Sequence, residues 1–300
     1  MSNAAVSSAA LRFEAEGTLD LQFPPLPKTV AEVSALRMQN ASVADTPRLF
    51  KAVNGDPMIA TNVLRRVNSA YYGLRRRIGN LRQAVFLLGF DEVCNLVMSA
   101  SLLQMKDVLK TPEQQQIFDR LSSMSMGAAY FTQEVTNYLD VPEAGLGFAA
   151  GLMHNIGRLV FLYNMPDEYE ALWFTTREGQ LPHIHDEERI FGLDHGELGA
   201  RATQEWQLPE EIYQAIRFYN IPRLADEAYI RTFAYAVNIG VAAAKQMEQH
   251  STRSGSWKFA PPTAMQALHN ERPFDMKGLI EHIESKRTSA SSYIGAMTGS

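Results

Sequence analysis

The chain has 300 residues, 46% of them apolar, and a formal net charge of −5. That composition supports a continuous core in one large helical domain or two small ones, and argues against a largely disordered chain. The acidic balance excludes a general polyanion binder, and a single cysteine, Cys94, excludes an intramolecular disulfide and any cysteine-based zinc cluster.

Residues 1–18 read as a small-residue tail, and Met1–Ala10 has neither the basic leader nor the apolar core of a signal peptide. Leu19, Leu21 and Phe23 alternate with polar residues before Pro24-Pro25-Leu26-Pro27, which predicts a short extended lead-in. From there the segments read as helices. Thr46-Pro47, Asp56-Pro57 and Thr111-Pro112 each place a capping residue before a proline suited to the first helical turn. Val93, Leu96, Val97, Ala100 and Leu103 form one apolar stripe. Ile117, Leu121, Met124, Ala128, Phe131, Val135 and Tyr138 form a longer one, in steps of four and three that no strand produces. Leu152, Ile156, Leu159 and Tyr163 continue the pattern, and Asp194-x-x-Glu197 has capping-box spacing for a helix from His195. Ser251–Pro262 reads as a loop, and the Ser-, Ala- and Gly-rich residues 287–300 as a disordered tail. With no hairpin pattern, the predicted fold is all-α. No uninterrupted apolar run approaches 18 residues, Ala234–Ala244 coming nearest, so the expected protein is cytoplasmic and has no membrane span.

The chemistry concentrates in Gly151-Leu152-Met153-His154-Asn155-Ile156-Gly157-Arg158. A histidine followed by aspartate would offer two adjacent metal ligands; Asn155 offers a neutral oxygen instead. His154 reads either as a ligand or as a core histidine bonded to a neighbouring helix. Asn155 lies on or beside the buried face and must be hydrogen-bonded. His195 reads either as a ligand or as a surface residue of a first helical turn. His183 and His185, two apart, do not share a helical face, and Asp186 and Glu187 read as first-turn acids of the next helix. No Gly-rich phosphate loop, nucleophile elbow or Cys-His arrangement is present.

A second feature is basic. Arg65, Arg66, Arg75, Arg76, Arg77 and Arg82 are six of the chain's 20 arginines, within 18 residues that contain no acid. Such a cluster is either a solvated turn between helices or a site for phosphate, nucleotide, nucleic acid or an acidic partner. Ile59, Val63 and Val67 mark the buried face of the helix after Asp56, which turns Asn62, Arg65 and Arg66 toward solvent.

Together these segments resemble the HDOD domain, a branch of the HD phosphohydrolase superfamily found in bacterial signalling proteins. The resemblance runs through Leu26-Pro27, Asp56-Pro57, Asn68-Ser69-Ala70, Tyr72-Gly73, Ala84 and Leu88-Gly89. It continues through Gly151 to Arg158, Glu187, Phe191-Gly192, Asp194-His195, Gly199, Trp206 and Leu208-Pro209. It implies an HD-like multi-helix bundle with an N-terminal helical subdomain: 19–286 as the domain, divided at 19–110, 111–220 and a helical extension over 221–286. It also implies a non-catalytic regulatory role. An active site of the superfamily resembles His…His-Asp…Asp. Its first histidine would fall near Ser122 or Ser123, its Asp is Asn155, and its last Asp would fall near Asn238–Gly240, where none stands. Where many relatives carry a paired histidine, this chain has Tyr219-Asn220.

The relic site is therefore His154, Asn155 and His195, with no cofactor expected and no metal, or at most one held by His154 and His195. The expected function is that of a scaffold or regulator binding a signalling protein, or a nucleotide or other phosphate ligand. A metal-dependent hydrolase of a nucleotide or cyclic dinucleotide is the alternative, and nucleotide or nucleic-acid binding through the arginines is the second.

Overall fold

Helix starts in this chain are set by side chains that satisfy free backbone N–H groups. In the computed structural model, which describes residues 21–23, 28–39, 43–142, 144–177, 180–250 and 257–299, Asp56 accepts from the amides of Met58 (3.0 Å) and Ile59 (3.1 Å). Thr111 and Gln114 cap each other reciprocally at the head of the longest helix. The start near Thr46 is shifted by one: Thr46 is already helical and Asp45 holds the cap position. The proposed tail over residues 1–18 lies outside the described residues, as do 251–256 of the proposed loop.

The described residues form helices and connecting turns, with no strand among them. The N-terminal part comprises α1 (Lys28–Met38), α2 (Thr46–Asn54), α3 (Pro57–Val67), α4 (Leu81–Leu88) and α5 (Phe90–Gln104). The bundle follows as α6 (Pro112–Leu139), α7 (Gly147–Met153), α8 (Ile156–Asn164), α9 (Pro166–Thr175), α10 (Ile184–Phe191), α11 (His195–Glu205) and α12 (Glu210–Phe218). Then come α13 (Ala228–His250), α14 (Thr263–Glu271), α15 (Met276–Ser285) and α16 (Arg287–Thr298). Ahead of α1, Gln22 is pinned to the end of α8, exchanging two hydrogen bonds with the Asn164 side chain (2.8 and 2.9 Å).

The axis of the molecule is α6, packed along α13 and α7. Its predicted stripe is buried from Ile117 to Val135, and only Tyr138 emerges. One hydrophobic core runs from Val30 to Met297, so the N-terminal and bundle helices share it. Cys94 is fully buried there, which pushes its thiol up to about 12 and leaves it inert.

Of the tail proposed over residues 287–300, the described part, 287–299, is not the disordered segment that composition predicts. Arg287–Thr298 is helical, and Ala290, Tyr293 and Met297, spaced by three and four, are buried. Tyr293 packs edge-on against Tyr71 and Phe148, which supplies the apolar contact that a Ser- and Ala-rich helix lacks by itself. The stretch Ala144–Asn164 holds an 18-residue window apolar enough for a membrane span by composition, and 94% of that window is buried within the bundle.

Candidate functional site

The apolar run holding His154 and Asn155 is broken at those two residues, where α7 ends and α8 begins. Two glycines hold the break in place. A Cβ on Gly151 would lie 2.5 Å from the Ala128 carbonyl oxygen of α6, and one on Gly157 would lie 2.0 Å from the His195 carbonyl oxygen. Only hydrogen at these positions allows the backbones to meet, so α8 crosses α11 with His154–Asn155 beside His195. Stacking of Phe161 on Phe191, with ring centroids 4.4 Å apart, docks α10 on α8 and brings Glu187 to Arg158.

A continuous polar network results. Arg158 donates from Nε to Glu187 Oε1 (2.8 Å), from Nη1 to Asn155 Oδ1 (2.8 Å) and from Nη2 to the Pro182 carbonyl (2.9 Å). Glu187 Oε2 accepts from the His195 backbone amide (2.9 Å) and from His195 Nδ1 (2.5 Å). With Nδ1 donating, His195 Nε2 accepts from the Tyr219 hydroxyl (2.5 Å) and from the Asn220 side chain (3.3 Å). Asn238 holds the Tyr219 carbonyl (2.8 Å). His154 donates from Nδ1 to the Gly151 carbonyl (2.7 Å), so its Nε2 carries a bare lone pair, and its ring meets the Tyr219 ring edge to face. His154, Asn155, Arg158, Glu187 and His195 are each at most 5% exposed.

Burial and one internal cation set the electrostatics. Burial lowers the His154 pKa to about 3, helped by the Arg158 and His195 charges, so the ring is neutral. Burial and the Arg158 charge also lower His195, against the pull of Glu187. Burial would raise the Glu187 carboxyl, but Arg158 and His195 outweigh it and hold it down at about 2. Burial would weaken the Arg158 charge, and Glu187 more than restores it. Burial pushes the Tyr219 hydroxyl up to about 12, which keeps it a donor. A carboxylate this strongly held is a poor general base, and a neutral histidine with both nitrogens engaged is a poor acid.

A model of the HDOD domain matches residues 23–222. The chain belongs to the HDOD family. An uncharacterized protein of Treponema pallidum (strain Nichols) is 29% identical over 224 residues, 71% of this chain, and this HDOD chain spans about two fifths of that relative's length (41%). An HDOD domain protein of unknown function from Geobacter sulfurreducens has a similar structure, with a TM-score of 0.68 and 19% identity over 99% of both chains. So does a candidate phosphohydrolase of Shewanella amazonensis SB2B, at 0.64 and 20% over 99% of this chain and 100% of that one. A candidate signal transduction protein of Marinobacter aquaeolei VT8 follows at 0.65 and 22%, over 99% of this chain and 65% of its own. At these identities the structures share the fold.

The metal that HD enzymes hold does not fit the residues of this HDOD chain. Among the described residues, no three His, Cys, Asp or Glu side chains converge as ligands. Glu187 is the one carboxylate in the network, and both its oxygens are committed to Arg158 and His195. Asn155 brings no charge and is held by Arg158. Of Ser122 and Ser123, near which the resemblance would put a first histidine, Ser122 is fully buried and Ser123 partly so. His195 is buried rather than a surface residue of a first turn, and Glu187 is the anion of the network rather than a solvated first-turn acid. Spacing alone concealed Glu187, because its partner Arg158 is 29 residues away. His183 caps α10 by accepting from the His185 amide, and His185 faces Glu188.

The structure divides the arginine cluster. Arg66 is half-buried and donates from Nε to the Met297 carbonyl (3.1 Å) and from Nη1 to the Asn62 carbonyl (3.2 Å), so it ties α3 to the end of α16 rather than facing solvent. Arg82 lies over the Phe50 ring at 5.6 Å. Arg65, Arg75, Arg76 and Arg77 are exposed.

Replacing Asn155 with leucine is expected to cost about 1–3 kcal/mol, because Arg158 Nη1 would lose its acceptor inside the core. Urea unfolding measures this; a change within about 0.5 kcal/mol would show that the amide serves only as packing.

Proposed function

We propose that this protein is a cytoplasmic regulator of signal transduction that binds a partner or ligand without hydrolysing it. The observation that carries the reading is the Arg158 guanidinium, bonded at once to Asn155, Glu187 and Pro182. A fixed protein cation supplies positive charge among the residues that would otherwise surround a metal, and it offers no open position for water or substrate. The near-complete burial of all five residues supports the same reading, since catalysis needs a cleft that substrate can enter. The competing reading is metal-dependent phosphohydrolysis; the name of the structurally similar Shewanella amazonensis protein favours phosphohydrolysis.

The test is turnover of p-nitrophenyl phosphate and of a cyclic dinucleotide with added manganese. No turnover is expected, either from the natural chain or from Asn155→Asp, whose new carboxylate would be taken by Arg158. Manganese-stimulated turnover that His154→Ala abolishes would overturn the reading.

A further inference from the structure

We propose that the two clefts flanking Arg65 form a binding site for a small ligand carrying a chain of phosphates. This rests on reading the protein as a binding module and names where and what it binds.

Arg65 stands at the end of α3, in the wall common to both clefts. On one side a cleft of about 960 Å³ lies between α3 and the outer face of α16, lined by Arg65, Arg66, Ser69, Ser291 and Ser292 among others. On the other a cleft of about 860 Å³ is bounded by Arg65, Arg76 and Arg77. No carboxylate lines either cleft, in a chain with 33 acids and a net charge of −5. Among the described residues, Arg65, Arg76 and Arg77 make no ion pair or hydrogen bond, and Arg66 has no partner for Nη2. Ser69 Oγ is buried without a hydrogen-bond partner among the described residues.

Part of this has a plain structural explanation. Basic residues at the end of α3 complement its dipole, and Arg66 secures α16. That accounts neither for Arg76 and Arg77, which lie in the segment between α3 and α4, nor for the lack of a carboxylate in either lining. Burial lowers the Arg66 pKa, and the neighbouring Arg65 charge lowers it further, so the pair would gain from an anion.

The lining selects the kind of anion. Guanidinium forks and hydroxyl donors match the clustered oxygens of phosphates. An acidic protein surface would want one apolar pocket to anchor it, and here the apolar lining is divided between the two clefts, Tyr71 and Met297 in one and Leu64, Leu74 and Ile78 in the other. The size of the clefts suits a small ligand. A free polyphosphate and a nucleotide share this chemistry.

The test uses calorimetry and thermal melting of the full chain with two probes, inorganic triphosphate and ATP. Both are expected to bind and raise Tm, more weakly as salt rises. The double variant Arg65→Ala/Arg76→Ala should weaken binding about ten-fold or more, since charged hydrogen bonds are lost at both walls. Lys277→Ala, exposed and elsewhere, should bind like the natural protein. Markedly tighter binding of ATP would identify a nucleotide, and equal binding the phosphate chain alone. The proposal fails if neither probe binds at millimolar concentration. It also fails if the arginine variant melts normally and binds unchanged, or if poly-glutamate or a single-stranded oligonucleotide binds far more tightly than either probe. Hydrolysis of a probe that still depends on Arg65 would keep this site and overturn the non-hydrolytic reading instead.

Discussion

Replacing Arg158 with methionine is expected to destabilise the protein by about 3–5 kcal/mol, the usual cost of removing one member of a buried ion pair. Methionine fills most of the volume, so the loss is chiefly electrostatic. Glu187 would stay fully buried with one oxygen unpaired, and Asn155 and the Pro182 carbonyl would lose their donor. Arg158→Lys should recover only part of this, because an ammonium cannot present the planar fork that reaches three acceptors on three segments. The double variant Arg158→Met/Glu187→Gln should lose less than the two single losses combined, since the strongest charge is removed with its partner. Urea unfolding of the four proteins closes the cycle. A loss below about 1 kcal/mol in Arg158→Met would mean that water or His195 takes over the cation's role, and the network would not be the structural centre described above.

Stability is also expected to fall steeply below neutral pH, ahead of ordinary carboxylate titration. The His154 pKa is about 3 in the folded protein against an ordinary 6.5, so the unfolded chain binds the extra proton and the folded chain resists it. The stabilisation from keeping this ring neutral is complete above pH 6.5 and is lost progressively as pH falls toward 3. Between pH 6.5 and 4.5 His154 alone should remove about 2–3 kcal/mol, at roughly 1.4 kcal/mol per pH unit. His195, also lowered by burial and Arg158, adds to the fall in the same direction. Glu187, held at about 2 against an ordinary 4.5, contributes a separate loss only below pH 4.5. Chemical unfolding across pH 4.5–7.5 should show the histidine slope in the natural protein and a shallower one in His154→Gln. Equal slopes in the two would mean that His154 is not the neutral core histidine found here.

Both expectations come from a network that the sequence could only suggest. Local chemistry was legible because it acts over a few residues. The caps at Asp56 and Thr111, the α6 stripe from Ile117 to Val135 and the all-α fold each follow from spacings within one or two helical turns. The neutral Asn155 after His154 is plain in the sequence, whereas the places near Ser122 or Ser123 and near Asn238–Gly240 where ligands would stand came only from the resemblance to HDOD proteins. What replaces the missing charge was not readable. Arg158 and Glu187 both fall in segments that carry the resemblance, but they lie on different helices and nothing within either segment pairs them. Their pairing depends on Gly157 admitting the His195 carbonyl and on Phe161 stacking upon Phe191, contacts that belong to no single segment. The same holds at the C-terminus, where composition pointed to disorder. There Tyr293, Met297 and the Arg66 bond to the Met297 carbonyl hold α16 in place. A helix of weak formers gains its stability from the surface it covers, and that surface exists only once α3 and α6 have come together.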